Sequence, residues 1–356
     1  MQFILNIKQW FVSEVKALFT LQQTDRLWHI ALLAFVCMAV PLAIGLYFNQ
    51  LTYSIMVCLG GLVILYMPTA DWRYRMLVML LSSFGFVASF AVGLLFSQNE
   101  LTRIISISTF AFIVHSICLY FNFKSPGSTF FILLTSVASY NAQQYTQTLP
   151  VLMFLGAGTA LACLVALIYS IATRGRPIAI TTEEKPDYHS VILEGLLVGI
   201  FVAISLVLAY ILKLEKPYWV PVSCMAVMRG VNTQHVYQRG FQRILGTTVG
   251  LGLTYLLLLI ETTPLALCIT IPVLQFFAEL FVARNYALAL VFITPMALLL
   301  AETASGLTLN EHSIITTRLY DITLGSIVGA VGGYLLYHQQ LRAKFRETTP
   351  FLELED

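Results

Sequence analysis

Twelve apolar segments follow one another along this chain, at about residues 27–48, 52–67, 76–97, 102–121, 128–141, 149–173, 190–213, 217–231, 241–260, 264–283, 285–301 and 313–337. Hydrocarbon offers backbone N–H and C=O groups no partner except each other, so segments of this kind must form helices if they enter a bilayer. Of the 356 residues 58% are hydrophobic and 11% charged, and the mean hydropathy is +0.81. An ordinary soluble globule is excluded. The expected fold is all-α: a polytopic membrane protein of about twelve transmembrane helices.

Residues 1–26 carry Phe3, Ile4, Ile7, Trp10, Phe11, Val15, Leu18 and Phe19 at helical spacing around Lys8, Glu14 and Lys16. This predicts an amphipathic helix on the membrane surface, without the long apolar core and cleavage site of a signal peptide. Residues 27–173 then form a first six-helix half, 174–189 a cytoplasmic linker, 190–337 a second six-helix half and 338–356 a cytoplasmic tail. Sixteen of the twenty Lys and Arg residues fall in the gaps on one side, three on the other (Arg103, Lys213, Lys216), and Arg318 lies inside the last segment. The positive-inside rule therefore predicts both termini in the cytoplasm.

A shift of 164 to 165 residues lays the second half on the first: His29 falls on Glu194, Tyr53 on Tyr218, Arg75 on Arg239 and His115 on Glu279, drifting to 159 where Thr135 meets Thr294. Few identities support it, but six helices per half predict a parallel repeat about an axis along the membrane normal. Two segments in each half, 52–67 and 128–141, then 217–231 and 285–301, are shorter than a spanning helix needs and occupy matching places. Short segments at matching positions point to a transporter's binding site, because their ends bring backbone dipoles into the membrane. Lys124 precedes one of them and Arg284 another, and a cation at a helix start fits capture of a carboxylate. Tilted or snorkelling helices with ordinary topology charges account for the same pattern.

Arginines near hydrocarbon are costly, and Arg229, Arg239 and Arg243 lie within or beside apolar sequence. Arg239 and Arg243 are four apart, so a helix puts both on one face as a two-pronged cationic site. Arg318 and Asp321, three apart, also share a face; they read either as a structural ion pair or as an aspartate proton carrier whose protonation an arginine tunes. Glu194 and Glu279 fall near cytoplasmic helix ends, where solvated and proton-coupling roles are both open, while His29 and His115 read as packing histidines. Tyr218 and Trp219 fall at the outer interface, where an aromatic belt is expected and stacking on an aromatic substrate is the sharper alternative. Gly246 and Gly250, like Gly325 and Gly329, have the small-residue spacing of close helix crossings.

The six cysteines sit at wide spacings in apolar runs with no metal pattern, and are expected to be buried packing residues. No Walker loop, HExxH, GxSxG or metal-ligand cluster occurs, so no enzyme, cofactor or metal is expected; nor is there a basic stripe for nucleic acid.

In their order and spacing, Tyr218, Trp219 and Pro221, then Arg239, Arg243, Gly246, Thr247 and Gly250, then Arg284, Asn285, Tyr286, Thr294 and Pro295, then Arg318, Asp321 and Gly325 resemble the core signature of the fusaric acid resistance and aromatic acid exporter family. The resemblance is clear from Tyr218 to about Gly333 and faint in the first half. It implies a bacterial inner-membrane exporter of aromatic carboxylic acids driven by the proton gradient. Asn285 and Tyr286 then join Arg239, Arg243, Arg284, Lys124, Arg229, Tyr218 and Trp219 as candidate substrate residues, with Asp321, Arg318, Glu279 and Glu194 as candidates for proton coupling. Plant aluminium-activated malate transporters, which are anion channels, look like distant relatives. The linker leaves no room for the large cytoplasmic domain that often follows a membrane half in the family.

The expected activity is outward transport of an organic anion by proton antiport, with a passive anion channel or a non-transporting subunit of envelope assembly as alternatives. The expected partners are the anion, protons and the lipid bilayer; a periplasmic adaptor protein and a homo-oligomer stay open.

Overall fold

The computed structural model describes residues 20–24, 28–123, 126–142, 148–173, 187–230, 232–259, 263–304 and 311–337. Nearly all of the predicted surface helix, most of the linker, the tail beyond Tyr337 and Lys124 lie outside the described residues. Within them the chain forms twelve α-helices: α1 His29–Tyr47, α2 Leu51–Gly61, α3 Trp72–Leu95, α4 Glu100–Tyr120, α5 Thr129–Asn141, α6 Thr148–Ala172, α7 Tyr188–Ile211, α8 Trp219–Met228, α9 Thr233–Leu259, α10 Pro264–Val282, α11 Tyr286–Ala304 and α12 Glu311–Tyr337. After Gly60 and Gly61, α2 tightens into a 3₁₀ turn at Leu62–Tyr66. Eight of the twelve are long and apolar enough to cross a membrane; α2, α5, α8 and the apolar part of α11 are the short ones. These are the four segments whose shortness the sequence marks.

Local chemistry explains several starts. Asn99 begins α4 with a reciprocal box, its side chain accepting from the Thr102 N–H at 2.9 Å while its own N–H donates to Thr102 Oγ1 at 3.2 Å. Thr263 caps α10 ahead of Pro264, whose missing N–H is no loss in the first turn. On the outside, Leu77, Leu80, Leu81 and Phe84 of α3 are all more than half exposed. That is an apolar stripe at helical spacing facing outward, as a bilayer solvent requires.

Helix packing follows a repeated scheme. α2 packs on α6 and α8 on α12; α3 packs on α5 and α6, and α9 on α11 and α12; α1 meets α2 as α7 meets α8. Across the two sequence halves, α4 packs on α7 and α10 on α1, while α5 meets α8 and α11 meets α2. Glycine permits the closest of these contacts. A Cβ on Gly158 of α6 would lie 2.0 Å from the carbonyl oxygen of Val57 in α2, and one on Gly325 of α12 would lie 2.4 Å from that of Val220 in α8. Neither backbone could stay where it is with any other residue there.

Candidate functional site

The short helices α5 and α8 run past each other with their ends tied. Near the start of α5, the carbonyl of Pro126 and Thr129 Oγ1 accept from Arg229, at the end of α8, at 2.6 and 2.9 Å. At the other end the Tyr140 hydroxyl donates to the Glu215 carbonyl, and the rings of Tyr140 and Tyr218 lie 5.1 Å apart. Between this pair and the other short helices, α2 and α11, opens a cavity of about 530 Å³, walled also by α9, α10 and α12. That is within the ~300–1,000 Å³ of small-molecule sites. Its wall is mostly apolar, with residues such as Met56, Leu59, Phe130, Leu133, Val222 and Ile293, and its charged lining comes from Lys216, Arg229, Arg239, Arg243, Glu279 and Arg318.

The two arginines expected on one face of a helix do share a task. Arg239 Cζ stacks 4.8 Å from the ring centroid of Tyr286, and Arg243 Nη1 donates to the hydroxyl of the same tyrosine at 2.9 Å. Arg239 also donates to the Arg229 carbonyl at 2.8 Å, which carries the cluster on to the start of α5. Arg243 reaches further along α8, donating through Nη2 to Ser223 Oγ at 3.2 Å.

Toward the opposite end stands Arg318 of α12, 4% exposed, its Cζ 3.2 Å from the ring centroid of Trp219. Tyr218 and Trp219 are 5% and 7% exposed and line the cavity. The expected aromatic belt at the outer interface is therefore corrected: α8 is enclosed by α5, α7, α9 and α12, so these rings face protein and cavity instead of lipid headgroups. No hydrogen bond joins Arg318 to Asp321. The aspartate is fully buried, and neither of its carboxylate oxygens has a hydrogen-bond partner among the described residues.

Other expected residues are not brought together. Arg284 donates to the Leu280 carbonyl at 3.3 Å, and Asn285 starts α11 by accepting from the Leu288 N–H at 3.0 Å while reaching the Thr20 carbonyl; neither lines the cavity. Glu194 of α7 lies 3.6 Å from His115 Nε2 of α4, and His115 Nδ1 is 2.8 Å from Ser128 Oγ, so this histidine joins a polar contact between the halves. Arg75, aligned with Arg239, bonds to the carbonyls of Pro68 and Ala70 and to Ser170, and stacks on Tyr169 away from the cavity. All the charged lining belongs to the second half. Tyr140, Ser223 and Gln275 are not singled out by the sequence, although Gln275 stands one turn from Glu279 in a mostly apolar helix and is visible there as a polar pair. The cysteines are buried or half-buried, as expected.

The fold and site define a helical, polytopic membrane protein with an internal, arginine-lined cavity. Residues 198–332 match the family model described as fusaric acid resistance protein-like, which bears out the family resemblance over the stretch that supplies all of the cavity's charged lining. A protein of Bacillus subtilis (strain 168), described as uncharacterized membrane protein YvaC, is 32% identical over 154 residues, 43% of this chain and 24% of that protein. The match thus spans about a quarter of that relative's length. No solved structure matches the chain.

Proposed function

We propose that this protein carries organic anions, aromatic carboxylates foremost, outward across a bacterial inner membrane in exchange for protons. The observation that carries the reading is the cavity itself: apolar walls, several arginines and aromatic side chains enclosed among four short helices. Apolar walls receive a ring, and guanidiniums receive a carboxylate with paired donors. Buried Asp321, one turn from Arg318, supports a proton-carrying role. The family likeness over residues 198–332 supports a transporter in place of an enzyme.

In the same reading all twelve helices enter the membrane as two parallel halves of six. The recurrence of packing partners from one half to the other supports this arrangement.

Purified protein in liposomes, loaded with a pH gradient at clamped membrane potential, tests the mechanism with radiolabelled benzoate. Accumulation of benzoate against its gradient is expected. Movement that follows only the membrane potential makes the protein a passive channel instead, and no movement for benzoate, 4-hydroxybenzoate or cinnamate removes the transport reading.

A further inference from the structure

Arg243 and Arg318 come from different helices, α9 and α12, yet both are anchored on one side of α8. Arg243 is tied to Ser223, Arg318 lies over Trp219, and these two anchors are four residues apart, one helical turn and about 6 Å along the axis. Both arginines line the cavity, and both are more than nine-tenths buried. Their donors are not used alike. Arg243 spends Nη1 and Nη2 on Tyr286 and Ser223, which fixes its plane and leaves its Nε without a hydrogen-bond partner among the described residues, whereas Arg318 has two such nitrogens, Nε and Nη1. Trp219 holds the Arg318 guanidinium by its face, and an aromatic face accepts no N–H in the guanidinium plane.

Two buried cations anchored one turn apart on α8, Arg318 with two in-plane donors unspent and Arg243 with its Nε, make a site for a planar anion. We propose that Arg243 and Arg318 close on the same carboxylate, with Arg318 as its principal donor and Trp219 and Ser223 holding the two guanidiniums in place. Arg229 and Arg239, whose hydrogen bonds go to backbone carbonyls and to Thr129, form the approach to this clamp. The substrate class is a monocarboxylate with an apolar body, since the wall beyond the clamp is formed by side chains such as Val222, Leu133 and Ile293. This rests on the anion-transport reading and assigns the ligand contact within it.

The test is equilibrium binding of radiolabelled benzoate, 4-hydroxybenzoate and cinnamate to the full chain in lipid nanodiscs, for the parent, Arg243→Gln, Arg318→Gln and the double variant. Each single change is expected to weaken binding about thirtyfold or more, and the double variant to bind about as poorly as either single one, because residues acting on one group are not additive. Benzamide, the neutral analogue, is expected to compete equally weakly with all four proteins. Losses that multiply in the double variant, or an Arg318→Gln protein of parental affinity, overturn the shared clamp while leaving anion binding in the cavity standing. If Arg318→Gln does not fold, Arg318→Lys carries the test: it keeps the charge but not the forked donors, so a tenfold loss is expected and unchanged affinity overturns the proposal. A parent protein that binds none of the three acids overturns both this clamp and the transport reading.

Discussion

His115 and Glu194 meet across the contact between α4 and α7, with Nε2 3.6 Å from a carboxylate oxygen, while the other ring nitrogen of His115 sits 2.8 Å from Ser128 Oγ. One imidazole thus ties the two sequence halves together near the start of α5, the helix whose first turn also receives Arg229.

Removing that tie takes the imidazole partner from the buried Ser128 hydroxyl. His115→Leu is expected to destabilise the protein by about 1–3 kcal/mol, read as a lower thermal-unfolding midpoint in detergent. Benzoate affinity should stay within about twofold, because His115 does not line the cavity. A stability equal to that of the parent makes the contact incidental.

Among the cations, position separates roles that the sequence grouped together. Arg239→Gln is expected to weaken benzoate binding severalfold by freeing Tyr286 and the Arg229 carbonyl. Arg284→Gln, whose side chain stays on its own helix end, should leave affinity within about twofold. Direct binding measurements on the two variants check this, and equal losses place Arg284 back in the site.

Two glycines of similar appearance should respond in opposite ways. At Gly325 an added Cβ meets the Val220 carbonyl at 2.4 Å, so Gly325→Ala must push α12 off α8 and is expected to cost about 1–3 kcal/mol. Gly252 has nothing within 4 Å of the same position, so Gly252→Ala should be neutral or stabilise by up to about 1 kcal/mol through lost backbone freedom in the unfolded chain. Thermal unfolding of both variants decides it.

The proposed exchange requires a group that takes up and releases a proton, and buried Asp321 is the candidate for it. Asp321→Asn is expected to abolish pH-driven benzoate exchange in liposomes while binding persists, because the amide keeps the shape but cannot take up and release a proton. Full coupling in this variant shifts the role toward Glu279, which lines the cavity, since Glu194 is engaged with His115.

Topology can be read by an impermeant maleimide on cells. Asn49→Cys, in the turn between α1 and α2, is expected to label from outside, and Arg176→Cys, in the linker, only after lysis. The native cysteines are buried or half-buried and should label slowly in both cases. The reverse pattern inverts the predicted orientation.

The sequence by itself determined what depends on local chain chemistry. Apolar runs define the helices because backbone groups in hydrocarbon have no other partner, and run length picked out α2, α5, α8 and α11 as short. The four-residue spacing of Arg239 and Arg243 likewise put both on one face of α9, where the fold brings Tyr286 to meet them, forty-seven and forty-three residues further on. Only the tertiary structure decided which charges face the cavity. Arg75 and Arg239 sit at aligned positions, yet one is spent on its own loop and Ser170 while the other joins the lining. Trp219 looked like an interfacial aromatic and became the platform for Arg318, which passed over Asp321, its neighbour in sequence, for a ring nearly a hundred residues away. A side chain's direction is set by which helices enclose it, and crossings such as Gly325 against Val220 belong to no single segment.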